Sequence, residues 1–203
     1  MTAIIALKKN FNGAPKVLIG SDSLFLQGYS RMKAKDRSKL IEFPNFIVGF
    51  SGLASIQPVI YDIQKDLKLQ KSSPCFKMRS EQDALEFTRI VFLELKARLE
   101  ELGETFEGIG NLVIATPTQI FDVDRYCMAV ECEECAFSGC VDEFMAGIVA
   151  AKYDEVSTEE ELEELLVLAL TLAGRHSAGV HPPYIFRSPK QTKIIKKSKK
   201  SKK

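Results

Sequence analysis

The chain has 203 residues, 45% of them hydrophobic, and a net charge of +1. These values fit one globular domain and exclude a disordered or collagen-like chain. No apolar run approaches the ~20 residues needed to cross a bilayer, and Lys8 and Lys9 cut short the first hydrophobic stretch, so neither a membrane span nor a secretory signal is expected. Five cysteines, an odd number, favour reduced thiols and a cytoplasmic location. The charge is unevenly placed. Residues 196–203 hold six lysines and no acid, leaving residues 1–195 as a mildly acidic body with a basic, disordered tail. With no interleaved aromatics and no recognisable binding module, this tail does not indicate a nucleic-acid partner.

In chain order, Ala3–Leu7 is a short β-capable run, and Asn10-Phe11-Asn12-Gly13-Ala14-Pro15 supplies turn residues before a second run, Val17–Gly20. Together they predict a hairpin with Asp22 just beyond it. Lys39–Phe43 and Phe46–Phe50 form a second predicted strand pair, interrupted by Pro44-Asn45 and closed by Ser51-Gly52. Two helices are expected next. One spans about 53–70; the other starts at the capping box Ser80-x-x-Asp83 and ends at Gly103. Leu85, Phe92, Leu95, Leu99 and Leu102 give that second helix one apolar face.

Strands follow at Leu112–Ala115, Ile120–Val123 and Met128–Phe137. A second helix pair covers about 140–153 and 157–175, the latter from Ser157-x-x-Glu160. Tyr184–Arg187 and Thr192–Ile195 are expected to close the fold. Strands, two helices, strands, two helices and strands in succession predict an α+β class: two mainly antiparallel sheets packed face to face and covered by helices, an αββα sandwich.

The first candidate site is the start of the chain. A small second residue permits removal of Met1, which would give Thr2 a free α-amine beside its hydroxyl. Such an amine titrates near ~8, much closer to working pH than a lysine. It can therefore serve as the base for its own hydroxyl, a poor nucleophile unaided. Many cytoplasmic chains begin Met-Thr, so the start alone does not specify chemistry.

The surroundings are more specific. Gly20-Ser21-Asp22-Ser23 ends the second strand, Ser38-Lys39-Leu40-Ile41 begins the third, and Gly49-Phe50-Ser51-Gly52 ends the fourth. This order resembles proteasome β-type subunits and, more closely, the bacterial two-component protease peptidase HslV, members of the N-terminal-nucleophile hydrolase superfamily. The resemblance extends over residues 2–195 and is sharpest before residue 52. It implies that Thr2 is the nucleophile and that Lys39 supplies a fixed positive charge lowering the pKa of the amine and hydroxyl. It further implies that Asp22 holds Lys39, that Gly52 offers a backbone N–H to the oxyanion, and that Ser138 supports the site. Cys140 is an alternative to Ser138, because the family's Gly-Ser-Gly is here Ser138-Gly139-Cys140. Lys33 and Lys35 lie nearby, but only Lys39 directly precedes an apolar strand. Phe25 and Phe50 fall where the family lines the pocket for the residue before the cut, although both also suit a core.

The same resemblance implies an endopeptidase subunit acting on unfolded polypeptide within homo-oligomeric stacked rings fed by an ATP-dependent unfoldase. It requires no cofactor; a sodium ion on the backbone carbonyls of Gly174, Ser177 and Val180 is the one metal it suggests. One departure stands out. Arg175-His176-Ser177-Ala178-Gly179 lacks the acid that proteasome β subunits carry after this helix. That departure keeps open a catalytically weak or inactive ring scaffold, and a small-molecule amidohydrolase is a third alternative. Separately, Cys127-x4-Cys132-x2-Cys135, with Cys140, has the spacing of a plant-type ferredoxin loop. Cys132 and Cys135 with His176 and His181 would suit zinc. Strand alternation opposes both, since the sulfurs would diverge unless a turn separates them.

Overall fold

A computed structural model describes residues 2–27, 30–33, 39–52, 55–69, 78–103, 110–182 and 184–189. The predicted strand 192–195, the tail 196–203 and Lys35 lie outside these residues. The chain opens with a long hairpin, β1 (Ala3–Phe11) and β2 (Ala14–Ser21), turning at Asn12 and Gly13, both with positive φ. A short hairpin that the sequence pattern did not indicate follows, β3 (Leu24–Gln27) and β4 (Ser30–Lys33). Next come β5 (Leu40–Glu42), β6 (Ile47–Ser51), α1 (Ile56–Leu69) and α2 (Glu81–Glu101). The second half holds β7 (Asn111–Ala115), β8 (Ile120–Val123), β9 (Ala129–Cys132), β10 (Cys135–Gly139), α3 (Asp142–Lys152), α4 (Glu159–His176) and β11 (Ile185–Arg187).

Among the described residues, nine strands form two antiparallel sheets, and β3 and β4 pair apart from both. One has the order β10-β1-β2-β11 and the other β5-β6-β7-β8-β9. Period-two alternation explains how they stack. In β1, Ala3, Ile5 and Leu7 pack with Met145, Leu166 and Leu170 of α3 and α4, whereas Ile4 and Ala6 pack with Leu40, Ile47 and Val113 of the other sheet. In β7, Leu112 and Ile114 meet the α1–α2 layer and Val113 and Ala115 face back across the sandwich. Each central strand is therefore apolar on both faces, and the layers are helices, sheet, sheet, helices. The expected αββα sandwich is the observed fold.

The sheets approach so closely that Gly49 of β6 has no room for a side chain. A Cβ there would lie 2.7 Å from Ile4 Cγ2. On the outer side of the second sheet, Phe43 and Phe46 stack 4.4 Å apart and Phe87 of α2 meets both edge-on at 5.4 Å.

The structure differs from the sequence reading in three places. The expected strand Met128–Phe137 is two strands divided at Glu133-Glu134, β9 joining one sheet and β10 the other. A continuous apolar pattern cannot show that the chain changes layer. The α4 capping box is Thr158 with Glu161, one residue after the Ser157/Glu160 register; Glu161 also accepts from the backbone and hydroxyl of Ser157. Phe50 is buried in the α1–α2 core, so it is a packing residue and does not line a pocket.

Phe87→Ala removes the ring that closes the aromatic cluster and should destabilise the fold by about 3–5 kcal/mol. Urea denaturation checks this; a loss below about 1 kcal/mol would mean that α2 does not anchor its sheet through Phe87.

Candidate active site

Thr2 stands immediately before β1, the strand flanked by β10 on one side and β2 on the other. Extending the alternation of Ile4 and Ala6 back by one step puts its side chain on the face between the sheets, where the residue is only 9% exposed. Its backbone is held from both sides. The N–H of Cys140 donates to Thr2 O at 3.0 Å, while Ala3 N–H donates to Asp22 Oδ1 at 2.9 Å and Asp22 N–H to Ala3 O at 3.2 Å.

Asp22 and Lys39 form the charged element beneath it. Lys39 Nζ lies 2.7 Å from Asp22 Oδ1, and both side chains are buried, at 2% and 0% exposure. Asp22 follows β2 in one sheet and Lys39 precedes β5 in the other, so the pair bridges the sandwich. The carbonyl of Lys39 also accepts from Phe50 N–H on β6. Burial pushes the Lys39 pKa below the ordinary lysine range; the Asp22 charge and hydrogen bond oppose this, as does Cys140 more weakly.

A second polar bridge joins the sheets. Ser51 Oγ of β6 and Ser138 Oγ of β10 are 2.6 Å apart and buried. Ser138 shares the inter-sheet face with Ala136, and its hydroxyl engages Ser51. Cys140, the alternative to Ser138, stands beside Thr2: its sulfur is 3.6 Å from Thr2 O and 3.9 Å from Ser177 Oγ.

Around Thr2 is a cleft of ≈ 310 Å³ whose lining includes Ser51, Gly52, Gly110, Arg125 and Cys140. Three glycines shape it through backbone geometry. Gly52, Gly110 and Gly139 have φ of 106°, 77° and 123°. A Cβ on Gly110 would lie 2.2 Å from Ser51 O, and one on Gly139 would lie 1.9 Å from Thr2 O. Sequence reasoning singled out only Gly52. The signal for Gly110 was the Gly108-Ile109-Gly110 spacing ahead of a strand; Arg125 and Asn111 carried none.

The other candidates do not gather here. Cys132 and Cys135 belong to strands of different sheets, and among the described residues no group of three His, Cys, Asp or Glu could hold a metal ion. His176 stacks on Phe144 with ring centroids 4.3 Å apart, and the His181 carbonyl accepts from Ser23 N–H. Gly174, Ser177 and Val180 lie at the end of α4 and in the turn after it. Val180 N–H donates to Ser177 O at 3.2 Å, and Val180 O and Tyr184 Oη crowd the position of an absent Gly174 Cβ. The side chains of Phe25 and Lys33 lie outside the description.

Neither a family model nor a curated protein matches the sequence. Solved structures do. BPH from Thiobacillus denitrificans is similar with a TM-score of 0.74 at 17% identity, over 95% of this chain and 100% of that one. Eukaryotic HslV from Trypanosoma brucei gives 0.68 at 13% identity, over 94% and 100% of the two chains. The fold is the one these structures share, two antiparallel sheets packed face to face between helix layers. Anbu, an ancestral beta-subunit from Yersinia bercovieri, shares it with a TM-score of 0.71 at 15% identity, over 93% of this chain and 82% of its own.

Lys39→Met should cost about 3–5 kcal/mol, because the Asp22 carboxylate loses its buried counter-charge. Adding Asp22→Asn, which keeps an acceptor for Ala3 N–H, should recover most of that loss. Urea melts of the two single variants and the double variant complete the cycle, and a double variant no more stable than Lys39→Met would refute the ion pair as the cause. Gly139→Ala should lower stability by about 2 kcal/mol or more, since it combines left-handed strain with a clash against Thr2 O; thermal melting reads this directly.

Proposed function

We propose that the chain is a threonine-type endopeptidase subunit of a self-compartmentalising ring, with Thr2 as nucleophile once Met1 is removed. The observation that carries this reading is the buried Asp22–Lys39 pair, 2.7 Å across, spanning the two sheets beside the strand that begins at Thr2. A buried ion pair contributes little net stability, and its charges are costly to desolvate. A lysine held charged beside an N-terminal threonine favours the neutral amine and the ionising hydroxyl.

In this mechanism Thr2 Oγ1 attacks the scissile carbonyl while its α-amine, directly or through one water, takes the hydroxyl proton. The Gly52 N–H stabilises the oxyanion; its positive φ and the bare Gly110 beside it support this role, since no side chain intrudes. Collapse expels the leaving amine, which takes the proton, and leaves an ester on Thr2 that water then hydrolyses. Ser138 would support the site through its bridge to Ser51, with Cys140 as the alternative, its sulfur 3.6 Å from Thr2 O and 3.9 Å from Ser177 Oγ. The neutral carbonyls of Gly174, Ser177 and Val180 suit a monovalent cation, which would fix the turn after α4. The substrate is unfolded polypeptide, sequestered by homo-oligomeric stacked rings and delivered by an ATP-dependent unfoldase.

A second reading, an inactive ring scaffold, is favoured by the neighbourhood of Thr2. A thiol stands there, and the run Arg175–Gly179 contributes no carboxylate.

Intact-mass analysis and hydrolysis of fluorogenic peptides separate the two readings. The peptidase should lack Met1, and Thr2→Ala should reduce turnover by about 10³-fold or more. The activity should rise with pH through roughly 7–8 as the amine deprotonates. Epoxomicin, bound in one Thiobacillus BPH structure, should add its mass to the parent and not to Thr2→Ala. A parent that retains Met1 and is inert would establish the scaffold; a Thr2→Ala variant as active as its parent would remove Thr2 as nucleophile.

A further inference from the structure

Among the described residues lining the cleft, Arg125 is the one that carries a permanent charge. It sits in the turn between β8 and β9, which is held by four hydrogen bonds centred on Asp124. Asp124 N–H donates to Met128 O at 3.0 Å, and Asp124 O accepts from Cys127 N–H at 3.0 Å. The Asp124 carboxylate accepts the N–H groups of Tyr126 at 2.8 Å and Met128 at 2.9 Å, and Cys127 takes a φ of 65° to close the turn. The carboxylate next to Arg125 is thus engaged by backbone rather than by the guanidinium.

Arg125 is itself braced. Its Nη2 donates to Tyr126 Oη at 2.7 Å, and its guanidinium carbon lies 4.8 Å from the centre of the Tyr126 ring. One edge of the planar group is fixed by this contact. The guanidinium fork has five N–H donors and matches a carboxylate in two-point geometry, so donors remain for a ligand. The other groups around the cleft are glycine backbone, small hydroxyls, a thiol and the uncharged Asn111 carboxamide, with the buried Lys39–Asp22 pair elsewhere between the sheets. A concave wall with one sign of charge concentrates the field and raises the local concentration of the opposite charge.

We propose that Arg125 makes the cleft a carboxylate-binding subsite, so that the peptides it accepts carry an acidic group close to the bond presented to Thr2. That group is either an Asp or Glu side chain or the carboxylate of a chain end. The identity of the bond rests on the peptidase reading; the binding of the carboxylate does not.

The test uses the full chain carrying Thr2→Ala, which removes cleavage, and three fluorescent hexapeptides. One has a central Glu and an amidated end, one has Gln and an amidated end, and one has Gln and a free C-terminal carboxylate. Fluorescence anisotropy should show at least one carboxylate peptide binding about tenfold more tightly than the neutral one, with the difference shrinking as salt rises. A gain for the Glu peptide assigns a side-chain subsite, and a gain for the free end assigns a chain-end subsite. In Thr2→Ala/Arg125→Gln the ratio should fall to about one. Arg125→Glu should reverse it, the neutral Gln peptide then binding more tightly than the carboxylate peptides. Equal binding of the three peptides, no binding of any, or a preference that survives Arg125→Gln would overturn the subsite. Failure of the peptidase reading would appear instead in hydrolysis by the Thr2 protein, which this measurement does not involve.

Discussion

The buried contact between Asp22 and Lys39 is the interaction on which the rest of the arrangement depends. One carboxylate oxygen accepts the Lys39 ammonium and the Ala3 amide together. Through it the end of β2, the approach to β5 and the first residue of β1 are fixed at one point. Apolar contact between sheets is non-directional and tolerates sliding. A buried charge pair tolerates little, because displacement strands each ion in a medium that cannot solvate it. The pair thus acts on register: it sets how the two sheets meet at the end where Thr2 lies. The Ser51–Ser138 bridge repeats this device with neutral groups, joining the ends of β6 and β10.

Backbone geometry completes what the charges begin. Gly52, Gly110 and Gly139 adopt conformations that L side chains rarely take, and two of them pack against the carbonyls of Ser51 and Thr2. Polar bridges bring the strand ends together, and glycines let the backbones approach once they arrive. Either alone would leave a looser cleft. A side chain at Gly139 would push β10 away from Thr2 however well Asp22 and Lys39 were paired.

Much of this was legible in the sequence because it depends on local pattern. The β1–β2 hairpin showed in two apolar runs around Asn12-Gly13, and α2 in Ser80 and its capping geometry. Lys39 was distinguishable from Lys33 and Lys35 by its place before an apolar strand. The illegible parts depend on tertiary choice. Nothing between Met128 and Phe137 shows that β9 and β10 enter different sheets, because both halves read as strand. Whether Ser138 or Cys140 flanks Thr2 cannot be read from strand parity, because residues two apart share a face. Gly139, with a φ of 123°, ends β10 between them and sends the two side chains to different partners. Arg125 reaches the cleft only because the β8–β9 turn folds back beside β7 and β10, a proximity without any sequence period. The helix C-terminus at His176 was clear, yet its contact with Phe144 depends on how α3 lies against α4.

The position of Thr2 follows from the place of β1 within its sheet. An N-terminal residue is ordinarily among the most mobile in a chain. Here the strand it begins has a neighbour on each side, and the first two peptide units are bonded to Cys140 and Asp22. The backbone of Thr2 is consequently as constrained as a residue in mid-strand. A side chain on a loop needs supporting contacts to fix its orientation; one at the head of a central strand inherits that orientation from the sheet. The two sheets thereby make Thr2 a fixed reference point for the cleft.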